Sequence, residues 1–167
     1  MILDLNLAKA KSGMDIPITL QYDIPKEIFD EYGFVADSVC ELSLTYSYNV
    51  DYVLVNGFGS VCLTGNCYRC GESTKKLLKF EFEEKFLPAN SNESNVGEES
   101  YYFVGDKINI TKMVEDNLLT ALPHQFLCKE DCKGLCPQCF ANLNTQTCAC
   151  KPLIHNAFAC LNDLKID

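Results

Sequence analysis

The clearest pattern along the chain is an alternation of apolar and polar residues between positions 41 and 50. Apolar side chains recur there at every second position: Leu42, Leu44, Tyr46, Tyr48 and Val50. Successive side chains of a strand point to opposite faces, so this period of two predicts a strand with one buried face.

Similar patterns predict neighbouring strands. Segment 52–64 is rich in β-branched residues and contains Gly57 and Gly59, which indicate a bulge or a tight bend, and segment 76–86 alternates again. Further strands are predicted in ILDLNL, DIPITLQY and KINI, at residues 2–7, 15–22 and 107–110. Short turns between strands favour an antiparallel β meander or a partly closed sheet.

A few short helices accompany these strands, which makes the predicted fold class α+β. One helix is predicted between Pro25 and Gly33. A second begins with Thr111 as its N-cap and ends at Pro123, and it packs on the sheet through one apolar face: Val114, Leu118 and Leu122. Near the end of the chain, helical spacing predicts another docking face: Ala157, Phe158, Leu161 and Leu164.

At 167 residues, the chain is long enough for one core-bearing domain with a small appendage. We expect an α+β domain over residues 1–123 and a cysteine-rich, zinc-binding tail over residues 124–167 that packs on it. Residues 88–100 are rich in Asn, Ser and Glu and have little apolar content. Burial cannot offset the entropy cost of ordering such a segment, so it is predicted to be a flexible loop.

Charge and compartment narrow the range of functions. The formal net charge is −9, and the sequence has no cluster of lysines and arginines that would form a broad electrostatic binding surface for nucleic acid. An acidic protein is compatible with a basic partner, although the acidity could equally contribute to solubility alone.

No secretory signal or long apolar run is visible, so a cytoplasmic protein is expected. In a reducing cytosol, closely spaced cysteines are more often metal ligands than disulfide partners.

Eight of the eleven cysteines have spacings typical of zinc sites. Such sites use short Cys-x2-Cys turns, here called knuckles, each of which supplies two of four thiolates. We predict one site that fastens the sheet to the tail and one that folds the tail on itself. Their ligands are, in turn, Cys67, Cys70, Cys128 and Cys132, and Cys136, Cys139, Cys148 and Cys150. The isolated Cys40, Cys62 and Cys160 are interpreted as small core residues.

Two rival chemistries stay open for the thiols. Cys67 and Cys70 form a redox-type C-x-x-C, but that chemistry usually places the first thiol at a helix N-terminus, whereas strands flank this pair. The C-x3-C-x2-C spacing from Cys132 to Cys139 resembles that of radical enzymes that use S-adenosylmethionine, and four thiolates could hold an iron–sulfur cluster. The chain is too short for the barrel of such enzymes.

The sequence contains few other residues or motifs that indicate catalysis. No metalloprotease, phosphate-binding loop or nucleophile-elbow motif is present, and there are only two histidines. His124 is a weak candidate for a metal ligand. Glu81 and Glu83 could be imagined as acid–base carboxylates, but strand alternation places them on a solvated face. Closed four-thiolate sites leave no open position for a substrate, so a structural role and a non-enzymatic protein are expected.

The tail motif LCKEDCKGLCPQC, followed by NLN and CAC, resembles the bacterial YceD family, which also occurs in chloroplasts, and C-x-R-C at a hairpin extends the resemblance. The matching residues are Cys67, Arg69, Cys70, Asp131, Cys132, Gly134, Leu135, Cys136, Pro137, Cys139, Asn142, Leu143, Asn144, Cys148 and Cys150. Phe140 departs from the family pattern, because a Gly commonly follows the second knuckle cysteine and would ease a backbone turn there.

The resemblance implies a non-catalytic part in accumulation of large-subunit ribosomal RNA. It also implies a partner among the ribosomal proteins or pre-ribosomal RNA of the large subunit. From the residues alone, two other functions stay open: a general zinc-bearing protein-interaction module without a ribosomal role, and an iron–sulfur or redox protein. One or two zinc ions are the expected cofactor.

Overall fold

The computed structural model describes residues 1–89 and 101–150. Eight strands and three short helices occur in these residues. The strands are β1 (Ile2–Asp4), β2 (Ile16–Tyr22), β3 (Phe34–Ala36), β4 (Cys40–Tyr48), β5 (Val53–Asn66), β6 (Ser73–Pro88), β7 (Tyr101–Phe103) and β8 (Lys107–Asn109). The helices are α1 (Asn6–Ala10), α2 (Glu27–Asp30) and α3 (Thr111–Thr120).

Six strands form the main sheet. Its order is β2-β4-β5-β6-β7, and β3 pairs with the part of β5 that lies beyond the end of β4. All its pairs are antiparallel except β6 with β7, which is parallel and covers only Phe86–Pro88 of β6. The antiparallel meander is therefore confirmed for its central strands. The described strands do not close on one another, so a partly closed sheet is not confirmed.

One face of the sheet forms the core, as the alternation predicts. Buried side chains on β4, β5 and β6 are Leu42, Leu44, Tyr46, Val53, Val55, Val61, Leu63, Phe80, Phe82 and Phe86. Helix α3 covers them with its buried Met113, Val114 and Leu118, so the predicted packing of this helix on the sheet is confirmed. Strands β1 and β8 pair separately and add Leu3 and Ile108 to the same core.

Some local predictions are wrong. Residues 2–7 do not form one strand, because β1 stops at Asp4 and the Asp4 carboxylate accepts the Asn6 N–H at 2.8 Å where α1 begins. Thr111 is not the N-cap of α3 but its first residue, and its N–H donates to the Asn109 side chain at 3.1 Å.

Gly57 and Gly59 mark no bulge. The pairing of β5 with both neighbours continues unbroken through them. Each glycine instead permits close packing: a Cβ on Gly57 would lie 2.4 Å from the Ser43 carbonyl oxygen, and one on Gly59 would lie 2.3 Å from the Phe80 ring. The absence of a side chain is therefore what the strand needs here.

Cysteines outside the predicted sites differ in burial. Cys40 is fully buried in the core, as predicted, whereas Cys62 is only partly buried on the opposite face of β5. Cys160 and the docking face at residues 157–164 lie outside the described residues, as does most of the predicted loop 88–100. Within the described residues, no helix is both long and apolar enough to cross a membrane.

Candidate metal centres

The first knuckle lies at the tip of the long β5–β6 hairpin. Strand pairing extends to Asn66 and Ser73, and the Cys67 N–H then donates to the Glu72 carbonyl at 2.8 Å. The Gly71 N–H returns to the Cys67 carbonyl at 2.8 Å, with Gly71 in the left-handed region at a φ of 72°. This turn brings the Cys67 and Cys70 side chains to the same side of the hairpin tip.

The tail carries two further thiols to this hairpin tip. The Sγ atoms of Cys67, Cys70, Cys128 and Cys132 all lie within 4.8 Å of one another, and we call this set the sheet–tail cluster. Its Cys67–Cys132 and Cys70–Cys128 sulfur separations are both 3.7 Å. Four thiolates bound tetrahedrally at a Zn–S distance of about 2.3 Å would lie about 3.8 Å apart. A disulfide would instead need about 2.05 Å.

The second set lies entirely within the tail. The Sγ atoms of Cys136, Cys139, Cys148 and Cys150 also lie within 4.8 Å of one another, and we call this set the tail cluster. Its knuckle repeats the first one, because the Phe140 N–H donates to the Cys136 carbonyl at 2.9 Å. Phe140 has a φ of 57° and is the one non-glycine residue with positive φ among the described residues.

The structure thus brings together both predicted sets of cysteines, and the ten cysteines in the described part of the chain are all free thiols. The two clusters differ in exposure. Cys67, Cys70 and Cys132 are buried and pack with Leu127, whereas Cys139 is exposed. Each cluster could hold a metal ion. Whether both do, and which metal they bind, stays a prediction.

Arg69, the arginine of the first knuckle, binds the backbone of the tail. Its Nη1 donates to the Cys132 carbonyl at 3.0 Å and to the Glu130 carbonyl at 3.4 Å. One residue earlier, the Tyr68 N–H donates to the Phe126 carbonyl at 2.7 Å. The knuckle therefore binds the tail backbone on both sides of Cys128, and Arg69 helps to position the tail.

Gly134 allows the tail to approach the same knuckle closely. It is buried, has a φ of 73°, and a Cβ at this position would lie 3.0 Å from the Arg69 carbonyl oxygen. Both its backbone conformation and its surroundings therefore exclude a side chain without local rearrangement.

Two asparagines link the clusters to each other, a role that was not predicted from the sequence. The Asn144 Nδ2 donates to the Cys132 Sγ at 3.3 Å, and its Oδ1 accepts the Lys133 N–H at 2.9 Å. The Asn142 Nδ2 donates to the Glu72 carboxylate at 2.8 Å. Both residues lie in the loop between the two halves of the tail cluster. The NLN motif was visible in the sequence, but its contacts depend on how the tail meets the hairpin.

Thiol acidity in the sheet–tail cluster is uneven. Burial raises the pKa of Cys67, but hydrogen bonds from the backbone N–H groups of Cys128, Cys70 and Arg69 outweigh it and lower that pKa to about 6. Burial, together with hydrogen bonding to Cys132, raises the pKa of Cys128 to about 12. One thiol therefore ionises readily, while another keeps its proton in the metal-free cluster.

The tail cluster shows the same division. Backbone N–H groups of Cys139 and Gln138 lower the pKa of Cys136 to about 6. Hydrogen bonding to Cys139, followed by burial, raises the pKa of Cys150 to about 12. Four sulfurs at this separation cannot all carry charge unless a cation lies among them, so a metal ion bound in either cluster would replace the protons that the metal-free thiols keep.

The other candidates lie apart from the clusters. His124 borders a groove with Tyr32 and Tyr68 and contributes no atom to either set of ligands. Glu81 and Glu83 are exposed on β6, as the alternation predicts. Among the described residues, each cluster consists of thiols alone, a donor set that suits zinc or iron in tetrahedral coordination.

Comparison with known proteins finds relatives that are similar to this chain over part of its length. An uncharacterised protein of Mycobacterium tuberculosis is 30% identical over 89 residues, which are 52% of this chain and 43% of that protein. The chloroplastic large ribosomal RNA subunit accumulation protein YCED homolog 1 of Arabidopsis thaliana is 25% identical over 124 residues, or 58% of this chain and 39% of that protein. Its Zea mays counterpart is 43% identical over 47 residues, or 28% of this chain and 16% of that protein.

The chain thus spans less than half the length of these curated relatives. No solved structure matches it. A family model described as "Large ribosomal RNA subunit accumulation protein YceD" matches residues 55–165, which include all but the first two residues of the long hairpin and all eight clustered cysteines. With well over half of its length matched, the chain belongs to the YceD family.

Proposed function

We propose that this protein is a non-enzymatic factor needed for accumulation of large-subunit ribosomal RNA and that it carries one structural zinc ion in each cysteine cluster. Membership of the YceD family is the observation that carries the ribosomal part of the proposal, because the family is named for accumulation of this RNA. The two chloroplastic relatives carry the same name.

Zinc is favoured over iron–sulfur chemistry by the spacing of the sulfurs. Separations of 3.7 Å match the edge of a tetrahedron around one ion. A multi-iron cluster occupies more space between its thiolates and requires them to lie further apart. Redox exchange at Cys67 and Cys70 is disfavoured by their place at a hairpin tip, because reactive C-x-x-C thiols usually lie at a helix N-terminus.

A structural role follows from complete coordination. Four protein thiolates fill the tetrahedron around zinc and leave no position for water or substrate. The sheet–tail cluster would then fix the tail to the hairpin, and the tail cluster would fix the loop that carries Asn142 and Asn144. The protein would thereby present one rigid surface to its partner. The net charge of −9 favours a basic ribosomal protein over RNA as the direct contact.

Depletion of the protein in its own organism tests the ribosomal role. We expect mature large-subunit RNA to fall relative to small-subunit RNA, with restoration by the wild-type gene and by Cys62→Ser, whose thiol belongs to neither cluster. Cys67→Ser should restore it poorly. If the ratio of the two RNAs does not change on depletion, the protein has no ribosomal role, and an interaction module of another kind becomes the better interpretation.

A further inference from the structure

Among the residues that the structure describes, the long strand β6 has a free edge. Its inner neighbour β5 pairs with it from Ser73 to Phe86, but on the other side β7 pairs only with Phe86–Pro88. Within the described residues, the backbone of residues 73–85 therefore has a strand partner on one side only. An edge of this length leaves a row of N–H and C=O groups that another strand could pair with.

The charges along this edge are divided between its two halves. Lysines occupy the first half, at Lys75, Lys76 and Lys79. Glutamates occupy most of the second half, at Glu81, Glu83 and Glu84. In an antiparallel pair of two identical strands, the first half of each faces the second half of the other. The edge is therefore complementary in charge to a second copy of itself.

We propose that two copies of this chain pair edge to edge through β6, antiparallel and around a two-fold axis at Phe80. In this register, Lys79 faces Glu81 of the second copy, and Lys76 faces Glu84. The symmetry repeats both contacts, so four opposite-charge pairs form. Lys79 and Glu81 are both exposed on the outer face of the sheet, and neither enters an ion pair among the described residues.

Neighbouring registers are less favourable. An axis at Lys79 would place that lysine opposite its own copy, and an axis at Glu81 would do the same for the glutamate. The register at Phe80 has two like-charge contacts, one at each end of the paired segment, where Lys75 faces Lys85. Each of these lysines already has a partner in its own chain. Lys75 lies 3.2 Å from the Asp37 carboxylate, and the Lys85 Nζ lies 5.3 Å from the centre of the Tyr52 ring.

The same register fits the length of the free edge. Pairing around Phe80 uses residues 75–85 of each strand and stops before Phe86, where β7 begins to pair. It would form about ten backbone hydrogen bonds, roughly one for each facing pair of residues. A two-fold axis perpendicular to the sheet also keeps both outer faces on the same side, so the two sheets would become continuous.

Sedimentation velocity on the full, zinc-loaded chain over a range of concentrations tests the proposal. We expect a dimer of twice the 18.7 kDa chain mass. Lys79→Glu and Glu81→Lys should each weaken dimerisation about tenfold or more, because each turns two attractive contacts into repulsive ones. Lys11→Glu makes the same change in net charge as Lys79→Glu, at an exposed site away from β6, and should leave the dimer intact.

Two rescue experiments distinguish this register from a general effect of charge. The double variant Lys79→Glu/Glu81→Lys restores opposite charges and should dimerise again. A mixture of the two single variants should form heterodimers, since a strand with glutamate at both positions would face one with lysine at both. A wild-type chain that is monomeric up to about 100 µM would overturn the proposal. So would a dimer that survives both single substitutions, because its interface would then lie elsewhere.

Discussion

At the scale of single residues, the two knuckles require the same backbone conformation at one position but have different residues there. In each, the residue after the second cysteine donates to the carbonyl of the first cysteine and has positive φ. Gly71 meets this demand without a side chain, whereas Phe140 meets it with an exposed ring. A non-glycine residue in the left-handed region costs about 1 kcal/mol.

Substitutions at these two positions should therefore change stability in opposite directions. Gly71→Ala should lower the melting temperature of the zinc-loaded protein by about 3 °C, which corresponds to about 1 kcal/mol for a chain of this size. Phe140→Gly should raise it by about 1–2 °C, because relief of backbone strain exceeds the entropy that glycine adds to the unfolded chain. Thermal unfolding followed by circular dichroism measures both.

A matched control for Phe140→Gly is available in the other knuckle. Tyr68 is also an exposed aromatic residue, but its φ is not positive. Tyr68→Gly should therefore only destabilise the protein. If Phe140→Gly lowered the melting temperature as much as Tyr68→Gly does, backbone strain at Phe140 would not contribute measurably to the stability of the protein.

At the scale of elements, alternation predicted the long strands well because their burial is a local property of the chain. It was wrong near the N-terminus, where Leu3 and Leu5 are both buried although the strand stops between them. Burial at two positions does not distinguish a strand from a strand followed by a helix. The Asp4 side chain accepts a hydrogen bond from the Asn6 N–H, and this contact favours a helix after the strand.

The grouping of the cysteines could be predicted for a similar reason. One knuckle supplies only two thiolates, so each knuckle requires a second pair, and the spacing in the tail leaves few choices. The contacts of Arg69 and Asn142 could not be predicted, because each of them joins segments that lie more than 60 residues apart in the sequence.

The clusters should bind zinc in a strongly pH-dependent manner. In the metal-free sheet–tail cluster, the pKa values of Cys70 and Cys128 are both raised. A hydrogen bond from the Glu72 backbone lowers the pKa of Cys70, but burial and hydrogen bonding to Cys67 outweigh it, and burial is the main cause that raises the pKa of Cys128 to about 12. Both thiols keep their protons at neutral pH, and zinc must displace them. Because at least these two protons leave for each ion bound, the zinc affinity of the sheet–tail cluster should rise about 100-fold or more per pH unit between about pH 7 and pH 8.

Acidification has the opposite effect, because protons compete with zinc for the thiolates. Below about pH 6, Cys67 and Cys136 also become protonated, so loss of zinc should steepen there. Competition with a zinc chelator, corrected for the chelator's own protonation, measures this slope at each pH. An affinity that does not change with pH would mean that the thiols are already ionised without metal, contrary to the assignment.

At the scale of the whole molecule, the sheet–tail cluster joins parts of the chain that are distant in sequence. Between residues 124 and 150 there is no helix or strand of three or more residues. Apart from backbone turns and the contact of Phe126 with Phe34, the segment is held by contacts of the clustered thiols, Arg69 and the two asparagines. The fold of this segment therefore depends on side-chain chemistry rather than on a regular element.

Elemental analysis of zinc per chain tests whether the two cysteine clusters are separate metal sites. We expect two zinc ions in the native protein and in the Cys62→Ser control. Cys67→Ser and Cys132→Ser should each retain one ion, and combining them should remove no more, since both thiols belong to the sheet–tail cluster. Cys136→Ser should also retain one, and Cys67→Ser/Cys136→Ser none. Two zinc ions in Cys67→Ser, or none in the native protein, would show that the sheet–tail cluster is not a zinc site that fixes the tail to the hairpin.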